Sequence, residues 1–287
     1  MSKVLQGIAR KNPSLLDSDF ERISSLAHKE AGLSFTRSKI KMIETRLAPR
    51  IRARGLCSYS AYCDVVSSDS EAEERRLMVS ALTTNVTSFF REPYHFEMLR
   101  EQILPDLMQR LRSGERVRIW SAGCSKGPEP YSIAITLLSA EPRIAEYDIR
   151  ILATDIDPAI LETAHRGEYS IEELSGVTPD IRKKFFKLTD KNGRYQAIRP
   201  LRDLIRFREL NLLSSWPMSG RFNIIFCRNV VIYFDDDTQE KLWPRFEAAN
   251  TTDGWLFLGH SERLSHASHT RYRNAGMTAY TLGNPGT

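Results

Sequence analysis

Residues 117–131, VRIWSAGCSKGPEPY, decide the fold. An apolar run, Val117, Ile119 and Trp120, gives way to small residues, and Pro128 falls where a first helical turn begins, ahead of SIAITLLSA. Proline suits that position because its missing N–H is one the helix leaves unpaired anyway. Gly123 and Gly127 let a ligand approach the backbone, and a helix N-terminus presents free N–H groups. The spacing predicts strand, tight turn, helix, a corner that holds nucleotide-like cofactors and that any doubly wound domain also contains. It is neither GxxxxGK[ST] nor GxGxxG.

Working outward, residues 148–154 (DIRILAT) form a second strand that ends at Asp155-Ile156-Asp157-Pro158. An acidic residue at that carboxyl end receives the ribose hydroxyls of a nucleoside cofactor, which makes Asp155 the candidate. Asp157 directly precedes the proline and suits the N-cap of the helix over 158–165. Alternation resumes with 205–212 (IRFRELNL), 222–234 (FNIIFCRNVVIYF), a helix over 238–250 and a strand over 255–259, and a pair of strands over 270–282 closes the sheet in antiparallel fashion. Between them, 167–203 carry a short helical patch and the turn Asp190-Lys191-Asn192-Gly193 with β-leaning flanks, which predicts an inserted hairpin. Residues 85–287 thus make one α/β domain, a parallel sheet with helices on both faces and a small inserted β-subdomain.

Residues 1–84 read as all-helical. Ser18 and Glu21 form a capping-box pattern ahead of Phe20, Ile23 and Leu26, and Gly32 ends that helix. A second helix places Ile40, Ile43, Leu47 and Ile51 at helical spacing and stops at Gly55. Further helices run over 58–66 and 70–82, the latter with Ser70 and Glu73 at its start. Then LTTNVTSFFREPYHF, 82–96, sets short polar residues between two amphipathic helices, where Asn85 and Thr87 serve either a site or a cap.

The chain has 287 residues, 41% hydrophobic and 27% charged, values of a globular protein with an ample core. It has no apolar run of roughly 18 residues and no secretory leader, so a cytoplasmic protein without membrane insertion is expected. Cys57, Cys63, Cys124 and Cys227 form no CxxC pair and lack ligand-spaced histidines; reduced thiols and no metal are expected. Residues 36–54 hold Arg37, Lys39, Lys41, Arg46, Arg50, Arg52 and Arg54 against Glu44 alone, a net +6; with +5 for the whole chain, the remainder sums to −1. One segment with few acidic residues for i,i+4 pairing carries the basic character, which points to a local acidic partner.

The carboxyl ends of the strands contribute Gly123, Asp155, Asn211 and Arg228-Asn229, which an open α/β sheet brings to one crevice. These supply carboxylate, amide and guanidinium groups but no evident base, and neither GxSxG nor HExxH occurs. Methyl transfer from S-adenosylmethionine suits this set, because a sulfonium is already an activated leaving group. A carboxylate acceptor, with its reference pKa of about 4.3, needs no proton removed at neutral pH. Alignment and control of water then carry the reaction.

LTTNVTSFFRE, WSAGCSKGPEPYSIA, ILATDID, LNLL, FCRNVVIYF and GHSE, in this order behind a basic helical domain, resemble the chemotaxis receptor glutamate methyltransferase family, CheR, over about residues 18–282. The resemblance implies a Rossmann-like class I methyltransferase sheet. It also implies methyl transfer from S-adenosyl-L-methionine to glutamates on the cytoplasmic helices of chemoreceptors, leaving S-adenosyl-L-homocysteine and glutamyl methyl esters. By matching position, Asn85, Thr87, Arg91, Glu129, Asp155, Asn211, Leu212, Arg228 and Asn229 contact the cofactor, with Arg91 and Tyr233 nearest the transferred methyl. Arg91 could fork onto a carboxylate, and the Tyr233 hydroxyl could orient the acceptor oxygen, unless Tyr233 is a strand-end aromatic packing the sheet.

The same resemblance lays the basic helix Arg37 to Arg54 against acidic receptor helices, so that reversing Arg46 and Arg50 to glutamate should impair docking. It matches the inserted hairpin to a subdomain that grips a receptor-tail peptide in some members. A monomer is expected. The family usually reads STGEEPYS where this chain reads SKGPEPYS; Lys126 then sets a cation beside the cationic sulfonium. Two rival readings are an inactive receptor-docking adaptor and a nucleic-acid methyltransferase. The latter should show an NPPY-like turn or a Pro-Cys pair after the fourth strand, whereas Phe226 precedes Cys227 here.

Overall fold

The computed structural model describes residues 14–189, 193–265 and 270–283. The chain divides after Thr83 into two units.

The first unit is helical: α1 (Asp17–Ala31), α2 (Ile40–Ala53), α3 (Tyr59–Ser67) and α4 (Ala72–Leu82). Phe20, Ile23, Ile43, Leu47 and Ile51 of the stripes read from spacing are buried between them, together with Tyr62, Val66 and Met78, while Leu26 and Ile40 of those stripes are half-buried. Neither expected capping box forms. Helix α1 begins one residue before Ser18, with Leu16 as an uncapped N-cap, and Ser70 lies in a 3-10 turn ahead of α4. Ser58 does cap α3, accepting from the Ala61 amide.

Four arginines in and beside α2 find their partners on other segments of the unit, which spacing along one helix cannot reveal. Arg50 Nε and Nη2 donate to buried Glu74 at 3.0 and 2.6 Å, and the Tyr62 hydroxyl donates to the same carboxylate at 2.9 Å. Arg46 donates to the Leu82 and Thr83 carbonyls, closing the end of α4. Arg54 pairs with Glu71, and Arg37 with Asp17 and Glu21. Arg46 and Arg50 are therefore internal ties, and reversing them would break the unit rather than report on docking. Lys39 and Arg52 are exposed, and among the described residues their side chains have no hydrogen-bonded or ion-paired partner.

The second unit opens with α5 (Tyr94–Met98), which passes through a π-helical turn at Leu99–Ile103 into α6 (Leu104–Arg112). Pro105, at the start of α6, cannot donate to the preceding turn, and the extra residue absorbs that loss. There follow β1 (Val117–Ala122), α7 (Pro128–Ala140), β2 (Ile149–Asp155) and α8 (Pro158–Arg166). The insertion comprises β3 (Glu168–Tyr169), α9 (Pro179–Phe185), β4 (Phe186–Leu188) and β5 (Tyr195–Ala197). The main layer resumes with α10 (Arg199–Leu204), β6 (Ile205–Glu209), β7 (Phe222–Cys227), α11 (Asp236–Ala249), β8 (Asn250–Leu258), β9 (Arg273–Gly276) and β10 (Ala279–Thr281).

The main sheet has the order β6-β2-β1-β7-β8-β10-β9. Its first five strands are parallel, and β10 and β9 run antiparallel at one edge. Strand β1 is covered on both faces: Ile119 packs with α6 and α7 residues such as Leu107 and Leu137, and its neighbour Trp120 with Leu242, Trp243 and Phe246 of α11. The direction of build-up reverses beside β1, where such sheets open their crevice.

The stretch 222–234 is not one strand. Strand β7 ends at Cys227, Asn229 takes a left-handed φ of 59°, and Val231–Tyr233 form a 3-10 turn. Tyr233 is therefore no strand-end aromatic. The insertion forms a separate antiparallel sheet, β3-β5-β4, closed by the Thr189 amide on the Arg194 carbonyl at 2.7 Å. Of the turn read at 190–193, residues 190–192 lie outside the described residues. Phe89 packs edge-on against Tyr169 and Phe186 of this sheet, with centroids 4.9 and 5.6 Å away.

Candidate active site

The turn after β1 is fastened to β2. The Gly123 and Cys124 amides both donate to the Thr154 carbonyl at 2.8 Å, with Gly123 at φ 80°. A Cβ on Gly123 would lie 2.3 Å from Val230 Cγ2, so this glycine is required both by conformation and by the approach of the β7 loop. Ser125, at φ 50°, donates its amide to Asp155 Oδ2 at 2.8 Å, and the Asp157 amide reaches Oδ1 at 3.1 Å. Burial pushes the Asp155 carboxyl up, while those two amides work in the opposite direction. Asp157 caps α8 by accepting from the Ala159 and Ile160 amides.

Helix α7 offers fewer donors than the spacing implied. Pro128 and Pro130 carry no N–H and the Tyr131 amide is taken by the Gly127 carbonyl, so within the first three residues only Glu129 has one. Acidic side chains dominate the corner instead. Glu129 Oε1 accepts from the Ser121 hydroxyl at 2.7 Å, and Oε2 lies 3.3 Å from Arg228 Nη1. Burial pushes the Glu129 carboxyl up, against the pull of Arg228 and Ser121.

Arg228, at the carboxyl end of β7, is buried over the Phe96 ring. Besides Glu129 it reaches Glu92 Oε2 at 3.2 Å and donates to the Arg91 carbonyl. The segment bearing Arg91 is pinned to α7, since the Phe90 amide donates to Ser132 Oγ at 2.9 Å. It is also joined to the signature turn, where Ser125 Oγ lies 3.3 Å from both the carbonyl and Oδ1 of Asn85. Arg91 itself turns its guanidinium to the Val86 carbonyl at 3.2 Å. Helices α5 and α6 begin only at Tyr94, with Pro93 as an uncapped N-cap, so Asn85 and Thr87 are not caps.

At the end of β6, the Leu210 amide bonds the Asp155 carbonyl, and Asn211 Oδ1 accepts from the Leu213 amide at 2.9 Å. Leu212 is fixed through its carbonyl by Trp216 Nε1 and Arg245 Nη1 at 3.1 and 2.6 Å. Asn229 donates its amide to buried Glu262 at 2.8 Å, and the same carboxylate accepts from the Gly259 and Ile232 amides.

Asn85 and Asp155 thus meet through Ser125, and Arg91, Glu92 and Glu129 meet on Arg228, with Asn211-Leu212 and Asn229 held at the neighbouring strand ends. Thr87 and Tyr233 are half-buried, and their side chains make no hydrogen bond among the described residues. Sequence reasoning singled out neither Glu92 nor Glu262, although both stand in quoted motifs, TSFFRE and GHSE. Lys126 has an acidic partner within the protein: its ammonium lies 3.6 Å from Glu173 of the insertion, which also binds Arg194. Among the described residues no group of three or more His, Cys, Asp or Glu could hold a metal ion, and no helix is long and apolar enough to cross a membrane.

Residues 85–281 match the model of the CheR methyltransferase SAM-binding domain, and residues 18–83 that of the CheR methyltransferase all-alpha domain. A protein of Rhizobium etli described as "Probable chemotaxis protein methyltransferase" is 47% identical over 263 residues, 91% of this chain and 98% of that one. Chemotaxis protein methyltransferase 2 of Pseudomonas aeruginosa is 40% identical over 269 residues, covering 92% of each chain. The chemotaxis protein methyltransferase of Escherichia coli is 39% identical over 272 residues, 94% of this chain and 92% of its own. With both units matched and relatives aligned almost end to end, the chain belongs to the CheR methyltransferase family.

Proposed function

We propose that this protein transfers the methyl group of S-adenosyl-L-methionine to glutamate side chains of chemoreceptors, forming glutamyl methyl esters. The observation that carries the reading is the network at the strand ends, where Glu129, Asp155, Glu92 and Glu262 are gathered with Arg228 as the one buried guanidinium among them. That set suits a cofactor that brings donors and positive charge: an amine, ribose hydroxyls and a sulfonium. Arg228 Nε is buried without a partner, a donor left over for a further oxygen.

When bound, S-adenosylmethionine supplies an electrophilic methyl group on sulfur. The protein's part is to bind and align. Asp155 and Glu129 receive hydroxyl and ammonium donors, with Arg228 partly offsetting the burial that raises the Glu129 carboxyl. Asn85, Thr87, Asn211, Leu212 and Asn229 line the remaining cofactor contacts. Arg91 and Tyr233 stand nearest the acceptor, Arg91 by forking onto a carboxylate and Tyr233 by donating to it. No side chain is asked to remove a proton, because the acceptor is ionised at neutral pH.

The exposed cations in and just before α2, Lys39, Lys41 and Arg52 above all, provide the face for acidic receptor helices, and a receptor-tail peptide would meet the inserted sheet. Incubation with methyl-labelled S-adenosylmethionine and receptor-bearing membranes tests the whole reading. Base-labile label on receptor glutamates is the expected result; bound cofactor without label would leave a docking adaptor.

A further inference from the structure

We propose that Glu92 is a positioning residue for methyl transfer, clamping the bend that carries Arg91 against Arg228 and His260. The inference rests on the methyl transfer proposed for this site. Glu92 is not among the residues the family motifs assign to the cofactor, yet three segments meet on its carboxylate. Oε1 accepts from the His260 amide at 3.0 Å and lies 3.2 Å from His260 Nδ1, which ties it to the end of β8. Oε2 faces Arg228 Nη2 at 3.2 Å and the Tyr94 hydroxyl at 3.4 Å, which ties it to β7 and α5. Its side chain is only 9% exposed.

The backbone here is strained. Phe90 and Glu92 take φ of 51° and 58°, so two left-handed non-glycine residues flank Arg91. Such geometry persists only where the surroundings over-determine it. It turns the Arg91 carbonyl onto Arg228 while the Arg91 side chain leaves in another direction, toward the Val86 carbonyl. Burial opposes ionisation of Glu92, but the Arg228 charge and the His260 bonds outweigh it and hold the carboxyl below its usual range. A glutamine has the right shape and the wrong polarity: with its carbonyl kept on the His260 amide, its NH2 faces a guanidinium.

The test is Glu92→Gln, alone and with Arg91→Ala, in the full chain. S-adenosylhomocysteine binding is measured by calorimetry, backbone exchange over 86–92 in the ligand-free protein, and kcat and KM with receptor membranes. For a residue acting through Arg91, kcat should fall at least ~20-fold in E92Q with S-adenosylhomocysteine affinity changed less than ~5-fold, and by less than ~2-fold more in the Arg91→Ala background. Exchange over 86–92 should quicken. A wild-type kcat in E92Q, or a loss that multiplies undiminished onto Arg91→Ala, overturns the proposal. If E92Q binds no S-adenosylhomocysteine, Glu92→Asp, which keeps the charge but shortens the reach, replaces it with the same criteria. Absence of transfer by the wild type would instead refute the proposed function, and the exchange measurement would still decide whether Glu92 clamps the bend.

Discussion

Asp155 is the acid that the second strand was expected to offer to a ribose, yet both of its oxygens already hold backbone amides of the turns on either side. It holds those turns in place, so substitution there would damage the local fold together with any ribose contact. Cleaner reports come from its neighbours. Gly123→Ala sets a methyl group into Val230 at a left-handed φ, and should cost about 1–3 kcal/mol of stability in denaturant melts together with a weakened cofactor affinity. Arg91→Ala should remove most turnover, by roughly 100-fold or more in kcat, with the fold retained. Lys126→Thr should leave cofactor affinity within about twofold, because its ammonium faces Glu173 and screening limits what so exposed a charge can do. Gly123, Asp155, Asn211 and Arg228-Asn229 were legible because their motifs sit at strand ends. Glu92 and Glu262 were not, since the partners that tie each to another element, His260 and Arg228 for the first and Asn229 and Ile232 for the second, lie thirty or more positions away in the chain.

Among the elements, α2 shows where linear reading stops. Its apolar stripe and its end at Gly55 follow from periodicity and composition, whereas the fate of its charges depends on which helices stand beside it. Arg50→Ala would strand Glu74, whose carboxyl is held below its usual range by Arg50 and Tyr62 in spite of burial. A loss of about 2–3 kcal/mol is expected for the first unit, less than for a fully buried pair because Arg50 keeps some contact with water. Reversing Lys39 and Arg52 to glutamate should leave the melt unchanged and raise KM for the receptor several-fold, a contrast that separates surface charge from internal ties. The end of β7 teaches the same lesson. Hydrophobicity continues through Val230 and Ile232, but the left-handed Asn229 and the grip of Glu262 on three amides turn the chain out of the sheet.

For the molecule as a whole, acid should loosen the second unit through His95. Burial, with the Arg228 charge acting the same way, pushes this imidazole down to about 4. Unfolded histidine titrates near 6.5, so between those values the unfolded chain binds the extra proton, and stability falls as pH drops through that window by about 3 kcal/mol from this group. Denaturant melts at about pH 7 and about pH 4.5 should therefore lie closer together in His95→Gln than in the wild type. Glu129, Asp155 and Glu262 act in the opposite sense, because burial pushes their carboxyls up and the folded chain takes on their protons first. The prolines at the head of α7 carry one more consequence. A triphosphate is favoured by a row of unpaired amides, whereas the first three residues of α7 carry only that of Glu129, and the Glu129 and Asp155 carboxyl groups stand beside it. ATP, for all its abundance and its matching adenosine, should make a poor competitor here, leaving the rate of modification indifferent to the energetic state of the cell.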